Sequence, residues 1–245
     1  MNNKIIVLVG PTAIGKTELS IEIAKQYNME VISGDSMQIY KGMDIGTGKI
    51  TVNEMDGVTH HLIDVITPEE IYSVAEFQKT VKSLIQDSYE RGKTPFIVGG
   101  TGFYIQALLY EFKFDKDHET DTKIKYDALV IGLNRDRAKL YEIINARVDD
   151  MFEAGLEEEV RELYGKYAFS YTANGAIGYK EFLPYFDGEI TIDEVKKNIQ
   201  KNSRNYAKRQ LTYFRNKLPV TWFDKDKDSK EDVFEVINAF LEKNI

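Results

Sequence analysis

The chain has no cysteine among its 245 residues, which excludes a disulfide framework and thiolate chemistry. It also has no run of 18 apolar residues, and its first four residues lead directly into an apolar strand pattern. We therefore expect neither a membrane span nor a signal peptide, and the cytoplasm is the expected compartment. Histidine is scarce too. His60 and His61 have no cysteine and no well-spaced third ligand nearby, so a catalytic zinc site is not expected.

The chain also lacks net positive charge, but its basic residues are unevenly distributed. A net charge of −8 argues against indiscriminate binding to nucleic acid. From residue 196 to residue 217, however, there are eight basic residues and no acidic one, which leaves −16 on the rest of the chain. On a helix of 100° per residue, five of them fall within about 60° of each other. These five are Lys197, Lys201, Arg204, Lys208 and Arg215. The pattern predicts a helix that carries a basic strip on an acidic body.

A complete phosphate-loop motif, G-x-x-x-x-G-K-T, occupies residues 10–17 and follows the apolar run Ile5–Val9. A β-branched strand, a glycine loop and a helical pattern form the context that this motif requires. Loop N–H groups and the helix N-terminus attract phosphate, Lys16 adds a point charge, and the Thr17 hydroxyl can ligate Mg²⁺. The sequence therefore predicts a site for a diphosphate or triphosphate. Its residues are Gly10, Pro11, Thr12, Ala13, Ile14, Gly15, Lys16 and Thr17.

Strand and helix patterns alternate over residues 1–133, which is typical of a parallel sheet with helices on both faces. The predicted strands are Ile5–Val9, Glu30–Ser33, His61–Val65, Pro95–Val98, Ala128–Leu133 and Val220–Phe223. We expect an α/β fold of the P-loop NTPase type, with the core and a catalytic crevice in residues 1–133. Residues 134–217 are predicted to form a helical region, and residues 218–245 to return to the core as a last strand and helix.

Three further segments are placed to supply chemistry at the edge where parallel strands end. Asp35, after the second strand, is suited to hold the Mg²⁺ shell or to act as a general base, with a turn or helix-cap role as the alternative. The Gly99–Gly102 loop permits close approach of a ligand but is equally consistent with an ordinary turn. Arg135 and Arg137 follow the fifth strand, where a guanidinium either clamps a leaving phosphate or lies in solvent.

Seven segments of the chain together closely resemble the motifs of the bacterial tRNA dimethylallyltransferases, also called tRNA isopentenyltransferases. They occur in family order over nearly the whole chain, and their combination is specific although each glycine loop alone is not. The segments are Gly10–Thr17, Ile32–Lys41, Met43–Thr47, His60–Asp64, Gly99–Tyr104, Ala176–Lys180 and Tyr206–Thr212. The resemblance implies transfer of a dimethylallyl group from its diphosphate to N6 of an adenine beside the tRNA anticodon, at position 37.

The resemblance also implies the chemical roles of four residues. Asp35 would be the base that takes a proton from the adenine amine. Lys16, Arg137 and the phosphate loop would hold the departing diphosphate. Mg²⁺ is the implied cofactor, bound near Thr17 and Asp35. The adenine must leave its stack to reach a crevice at the strand ends.

By the same resemblance, three segments and Thr101 would contact tRNA, and the basic strip agrees with this independently. The implied contacts are Asp35, Ser36, Met37, Gln38, Thr101, Gly175, Ala176, Ile177, Gly178, Tyr179, Lys180, Lys208, Arg209, Gln210, Leu211, Thr212, Tyr213, Phe214 and Arg215. The expected partners are the tRNA anticodon stem-loop and dimethylallyl diphosphate, without a membrane, and we expect a monomer.

The chain departs from the family pattern at one place. Members usually carry a helical insertion after the helix that here covers Thr101–Phe112, with an Asn-Pro-x-x-x-Arg type motif that clasps the anticodon stem. Here only a polar stretch, near residues 113–126, joins Phe112 to Ala128. Natural absence, deletion and omission of a disordered segment would give the same sequence, and omission is favoured because such an insertion is often disordered without RNA.

Three other functions remain open at this point. A P-loop small-molecule kinase could use Asp35 as base for a hydroxyl, but the arginine-rich lid of a nucleotide kinase is not evident. An adenine-nucleotide isopentenyltransferase would keep the chemistry on free nucleotides, against which the basic strip argues. A non-catalytic RNA-binding module would need none of Lys16, Thr17 and Asp35.

Overall fold

The computed structural model describes residues 3–114 and 123–243 and contains a six-stranded parallel sheet within those ranges. The strands are β1 Lys4–Val9, β2 Val31–Ser33, β3 His60–His61, β4 Phe96–Gly99, β5 Asp127–Asn134 and β6 Val220–Asp224. Their order is β3-β2-β4-β1-β5-β6, with every pairing parallel. Alternate residues of β1 belong to two separate buried clusters, Ile5 and Val7 to one and Ile6 and Leu8 to the other. Both faces are therefore covered, and the predicted α/β class is confirmed.

The described ranges contain ten α-helices and one 3₁₀ turn. They are α1 Lys16–Gln26, α2 Val52–Met55, α3 Val74–Glu90, α4 Gly102–Leu109, α5 Arg137–Glu153, α6 Leu156–Lys166, α7 Tyr171–Asn174, α8 Leu183–Phe186, α9 Ile192–Lys217 and α10 Lys230–Glu242, with a 3₁₀ turn at Lys180–Phe182. Two helices begin with capping boxes, since Ser73 caps α3 and Thr191 caps α9 by accepting from the backbone N–H three residues on. None of these helices is long and apolar enough to cross a membrane.

One predicted strand is much shorter than expected. The sequence predicts His61–Val65, whereas β3 holds only His60 and His61. Leu62 and Asp64 have φ values of 65° and 54°, in the left-handed region, which a strand cannot contain. The chain turns there because the Asp64 carboxylate pairs with the buried Lys49 ammonium, which also donates to the Tyr40 carbonyl. A buried cation that needs oxygen partners therefore outweighs the local strand preference.

The parallel arrangement brings the segments after β1, β2 and β4 to one edge of the sheet. Val9 at the end of β1 lies opposite Gly99 of β4, and Ser33 of β2 lies opposite Val98. Helix α9 packs on this assembly, since its Ile199 and Phe214 are buried in the same cluster as Ile5. The segments that follow β1, β2 and β4 therefore lie close to α9 at this edge of the sheet.

Just before β2, the largely buried Glu30 pairs with side chains from two other segments. Its carboxylate accepts from the Arg91 guanidinium and from Lys93 Nζ at 2.8 Å, and it lies 2.8 Å from His61 Nε2. The Glu30 side chain is 10 % exposed. The Arg91 hydrogen bond, together with Lys93 and His61, holds the pKa of Glu30 well below its usual range.

We expect Glu30→Gln to lower the free energy of unfolding by about 2 kcal/mol at neutral pH, because Arg91 and Lys93 lose their shared counter-charge. A depressed folded-state pKa stabilises above the unfolded-state pKa, and this stabilisation is lost as the pH falls through the folded value. Urea unfolding from neutral to acidic pH should therefore show the difference from the unaltered protein shrinking on acidification. Exposed Glu153→Gln is the control. A difference independent of pH would contradict this account.

Candidate active site

A cavity of about 670 Å³ opens at the carboxyl ends of the strands. Its walls come from the phosphate loop, the segments after β2 and β4, helix α5, residues 175–180 and the inner face of α9. The sequence-predicted residues that line it are Thr12, Ala13, Ile14, Gly15, Lys16, Thr17, Asp35, Ser36, Met37, Gln38, Thr101, Gly175, Ala176, Ile177, Lys180, Arg209 and Gln210. The fold thus brings together, around one cavity, the phosphate loop, the Asp35 carboxylate and parts of the segments expected to contact tRNA.

The phosphate loop curls around its own lysine. Lys16 Nζ donates to the carbonyl oxygens of Gly10 at 3.0 Å and Pro11 at 2.8 Å. Burial lowers the pKa of Lys16 to about 8, the Asp35 carboxylate opposes this, and the Arg147 guanidinium adds to it. A bound phosphate would supply the missing negative charge, so this lysine is suited to an anionic ligand.

Asp35 forms a tight turn after β2. Its Oδ1 accepts from the backbone N–H of Met37 at 2.8 Å and of Gln38 at 3.4 Å. The next residue is also fixed, because Thr101 Oγ1 accepts from Ser36 N at 3.0 Å. The turn role considered as an alternative is therefore present. It leaves a chemical role open, since both turn bonds use the same carboxylate oxygen.

The arginine at the anion end of the cavity is Arg147, not Arg137. Arg137 is exposed, with its guanidinium 5.1 Å from the Tyr141 ring centre, and Arg135 pairs with Asp226, so neither lines the cavity. Both lie beside the start of α5, whereas the cavity wall is formed further along that helix.

Arg147 lies on the cavity-facing stripe of α5. Its Nη1 is 3.4 Å from Thr12 Oγ1 in the phosphate loop, and its Nη2 donates to the Gly48 carbonyl at 3.3 Å. Burial lowers its pKa, and the Asp35 carboxylate opposes this shift. The sequence carries a signal for it, because Arg147 interrupts an apolar helical stripe that contains Ile144 and Val148.

Gly48 lets Arg147 reach this position. A Cβ added to Gly48 would lie 1.5 Å from Arg147 Nη2, and the residue has a φ of +56°. The Gly48 carbonyl also accepts from Gln38 Nε2 at 3.3 Å. The glycine-rich segment 40–48 therefore joins Arg147 to the loop after β2.

Helix α9 is divided between the cavity wall and the solvent. Gln210, 5 % exposed, accepts from Thr12 N and donates to the Gly100 carbonyl, both at 2.9 Å. Phe214 is fully buried, and the Tyr213 hydroxyl donates to Gln106, so these residues hold α9 to the body. The predicted RNA contacts that remain exposed on α9 are Lys208, Arg209, Thr212 and Arg215.

Residues 175–180 are similarly divided. Gly175, Ile177 and Lys180 line the cavity, whereas Tyr179 is fully buried and donates its hydroxyl to Glu159 Oε1 at 2.6 Å. Gly178 has a φ of +95° and lies against the backbone of residue 46. Tyr179 and Gly178 therefore shape this segment from within the protein.

Thr17 and Asp35 both line the cavity and offer a hydroxyl and a carboxylate, which are ligands that Mg²⁺ accepts. The described ranges contain no group of three or more histidine or acidic side chains suited to hold a metal. This donor set fits an ion that takes its other ligands from water and from phosphate, as Mg²⁺ commonly does.

The lining of the cavity also includes many apolar side chains, from both the sheet and the helices. They include Val31, Ile50, Ile63, Val98, Ile143, Ile144, Val148, Met151 and Ile199. A chamber with cations at one end and branched aliphatic side chains along its walls is suited to a ligand with a charged head and a short hydrocarbon tail.

Residues 38–125 and 114–217 match the family model described as IPP transferase. The chain belongs to the IPP transferase family. It is 43% identical to the tRNA dimethylallyltransferase of Macrococcus caseolyticus strain JCSC5402, over 99% of this chain and 98% of that relative.

Two solved structures agree with this family assignment. The tRNA isopentenylpyrophosphate transferase of Bacillus halodurans has a TM-score of 0.90 and 41% identity, over 98% of this chain and 97% of that one. The tRNA isopentenylpyrophosphate transferase of Staphylococcus epidermidis also has a TM-score of 0.90, with 37% identity over 99% of this chain and 100% of that one. These likenesses support the P-loop-type α/β fold.

This family member is shorter than its Macrococcus relative inside the matched region. Their alignment extends over 305 positions and nearly all of both chains, whereas this chain has 245 residues, so at least 60 aligned positions hold none of its residues. The two segments that match the family model overlap at residues 114–125. That is the connection in which the family's helical insertion is expected, and its residues 115–122 lie outside the described ranges.

We expect Gly48→Ala to weaken binding of inorganic diphosphate about tenfold, because the new methyl displaces Arg147 from the anion end of the cavity. Gly92→Ala is a matched control, since Gly92 also has a positive φ, +69°, but has open space around its Cβ position. Both variants carry the strain of alanine at a positive φ, but only Gly48→Ala displaces Arg147. Comparing their diphosphate affinities by isothermal titration therefore separates the two effects. Equal affinities of the two variants for diphosphate would refute this role of Gly48.

Proposed function

We propose that this IPP transferase transfers a dimethylallyl group from dimethylallyl diphosphate to N6 of an adenine next to the anticodon of tRNA, at position 37, and releases diphosphate. The observation that carries the proposal is a cavity that combines a phosphate loop, apolar side chains and a carboxylate beside a helix with a basic outer face. The relatives named tRNA dimethylallyltransferase support the same substrates and do not favour a kinase or a free-nucleotide enzyme.

The diphosphate would occupy the cationic end of the cavity. There the phosphate-loop N–H groups, Lys16 and Arg147 surround the position where negative charge grows as the diphosphate departs. Thr17 and Asp35 would hold Mg²⁺, which when bound neutralises part of that charge. We give Arg147 the part that the resemblance implied for Arg137, because Arg147 lines the cavity and Arg137 does not.

The adenine amine is a poor nucleophile, because its lone pair is delocalised into the ring. Attack by N6 on C1 of the dimethylallyl group forms the N–C bond as the C–O bond to diphosphate breaks, and the electron pair of that bond leaves on diphosphate. N6 then carries one proton too many, and the Asp35 carboxylate accepts it. The turn bonds to Met37 and Gln38 fix the carboxylate for this transfer. Burial raises the pKa of the nearby Tyr206 to about 12, so its hydroxyl remains neutral.

The tRNA would lie along the outer face of α9. Lys197, Lys201 and Lys208 are exposed there, whereas Arg204 bonds to Asn145 on α5. These lysines would contact phosphates and position the RNA, and the flipped adenine would enter beside Thr101. The monomeric state remains a prediction.

We expect Asp35→Asn to reduce prenyl transfer to tRNA at least a hundredfold, because the amide cannot accept the proton. Binding of inorganic diphosphate, measured without Mg²⁺, should not be lost, since the amide oxygen can keep the turn and Lys16 and Arg147 remain. Transfer of radiolabelled dimethylallyl groups measures the first quantity and isothermal titration the second, with exposed Asp187→Asn as control. Turnover like that of the unaltered enzyme would remove Asp35 from the mechanism.

Lys201→Glu should weaken tRNA binding and make the dependence of log Kd on log salt less steep by about one unit or more, because a phosphate contact is lost. Lys79→Glu, an exposed reversal on α3, is the charge-matched control and should leave the slope unchanged. Filter binding at several salt concentrations measures both. An unchanged slope for Lys201→Glu would place the RNA elsewhere.

A further inference from the structure

The carboxylate of Glu159, on α6, accepts hydrogen bonds from three consecutive backbone N–H groups in the segment before Gly48. Its Oε2 accepts from Asp44 N at 3.1 Å and Ile45 N at 2.7 Å, and its Oε1 accepts from Gly46 N at 3.1 Å. Three consecutive N–H groups that point inward form the kind of nest that otherwise binds an external anion. Here the anion is part of the protein.

Tyr179 completes this arrangement. Its hydroxyl donates to Glu159 Oε1 at 2.6 Å, and burial raises the pKa of Tyr179 well above its ordinary value, so the proton stays available. A Cβ on Gly46 would lie 2.5 Å from the Tyr179 ring, so the segment packs directly on it. Glu159 therefore joins α6, the segment 44–46 and the segment that contains Tyr179.

The segment that Glu159 holds leads directly to the diphosphate end of the cavity. Gly46 lines the cavity, and two residues later the Gly48 carbonyl accepts from Arg147 Nη2 and Gln38 Nε2. Burial disfavours the charged form of Arg147, so its position depends on the acceptors that surround it. A shift of residues 44–46 would move one of those acceptors.

We propose that Glu159 is a positioning residue of the diphosphate site: its carboxylate fixes residues 44–46 and so holds the Gly48 carbonyl where Arg147 needs it. The inference rests on the proposed function only in naming the diphosphate as the ligand that Arg147 meets. Glu159 does not line the cavity and has no chemical step of its own.

Binding of inorganic diphosphate, measured by isothermal titration, tests this role without any need for prenyl transfer. Glu159→Gln should weaken binding about tenfold, because an amide is neutral and keeps only one acceptor oxygen, whereas the nest and Tyr179 together use both oxygens of the carboxylate. Neighbouring Glu158→Gln, at an exposed position of α6, is the matched control and should bind as the unaltered protein does. In an Arg147→Gln background, Glu159→Gln should have almost no further effect on binding, because both changes remove the same interaction.

Two additional variants separate positioning from general stability. Glu159→Ala should regain part of its diphosphate affinity when acetate is added, with chloride at equal ionic strength as control, because acetate can enter the vacated nest. Tyr179→Phe, which removes only the hydroxyl, should weaken binding by a few-fold and keeps the design informative if Glu159→Gln fails to fold.

Unchanged diphosphate affinity in folded Glu159→Gln, or additive effects of Glu159→Gln and Arg147→Gln, would overturn the inference. If the unaltered protein binds diphosphate but does not prenylate tRNA, the proposed function fails, whereas the comparison of Glu159→Gln with Glu158→Gln still decides this inference.

Discussion

The site depends on how closely the ends of β2 and β4 approach one another. A Cβ on Gly99 would lie 2.4 Å from the carbonyl carbon of Gly34, and one on Gly34 would lie 2.6 Å from Ile105. Glycine at position 99 lets the two backbones touch, whereas Gly34 leaves room for the end of the Ile105 side chain. The backbone contact places Asp35, the next residue after Gly34, beside Thr101 and across from the phosphate loop. A side chain at position 99 would separate the carboxylate from the cationic end of the cavity.

Charge connects the parts that this contact brings together. Lys16 and Arg147 are both buried enough for desolvation to lower their pKa values, and the Asp35 carboxylate opposes the shift at each. One carboxylate balances only part of the positive charge of these two side chains, and an incoming diphosphate would balance the rest. Gln210 of α9 holds the phosphate loop and the loop after β4 in place through its hydrogen bonds to Thr12 and Gly100. The helix whose outer face is basic thus also holds the phosphate loop from its inner face.

The sequence could predict the parts of the site that are local in the chain. The phosphate loop is one contiguous segment, and Asp35 follows a strand whose parallel neighbours were recognisable, so the sequence could place both at the cavity that they line. Arg147 was missed in favour of Arg137, because which turn of α5 faces the cavity is decided by how α5 packs on the sheet. The inward bonds of Gln210 to Thr12, almost 200 residues away, are equally invisible to local patterns. The early end of β3 was missed because it results from the tertiary contact of Lys49 with Asp64.

The most direct measurement of the central claim is incubation of the unaltered protein with radiolabelled dimethylallyl diphosphate, Mg²⁺ and either unmodified tRNA or AMP. Our account predicts label in tRNA, on the adenine next to the anticodon, and none in AMP, even though the chain is at least 60 aligned positions shorter than its Macrococcus relative. Label in AMP alone would contradict the assignment of the basic face of α9 to RNA. Label in neither acceptor, with diphosphate still bound, would contradict the proposal that this chain transfers a dimethylallyl group to tRNA.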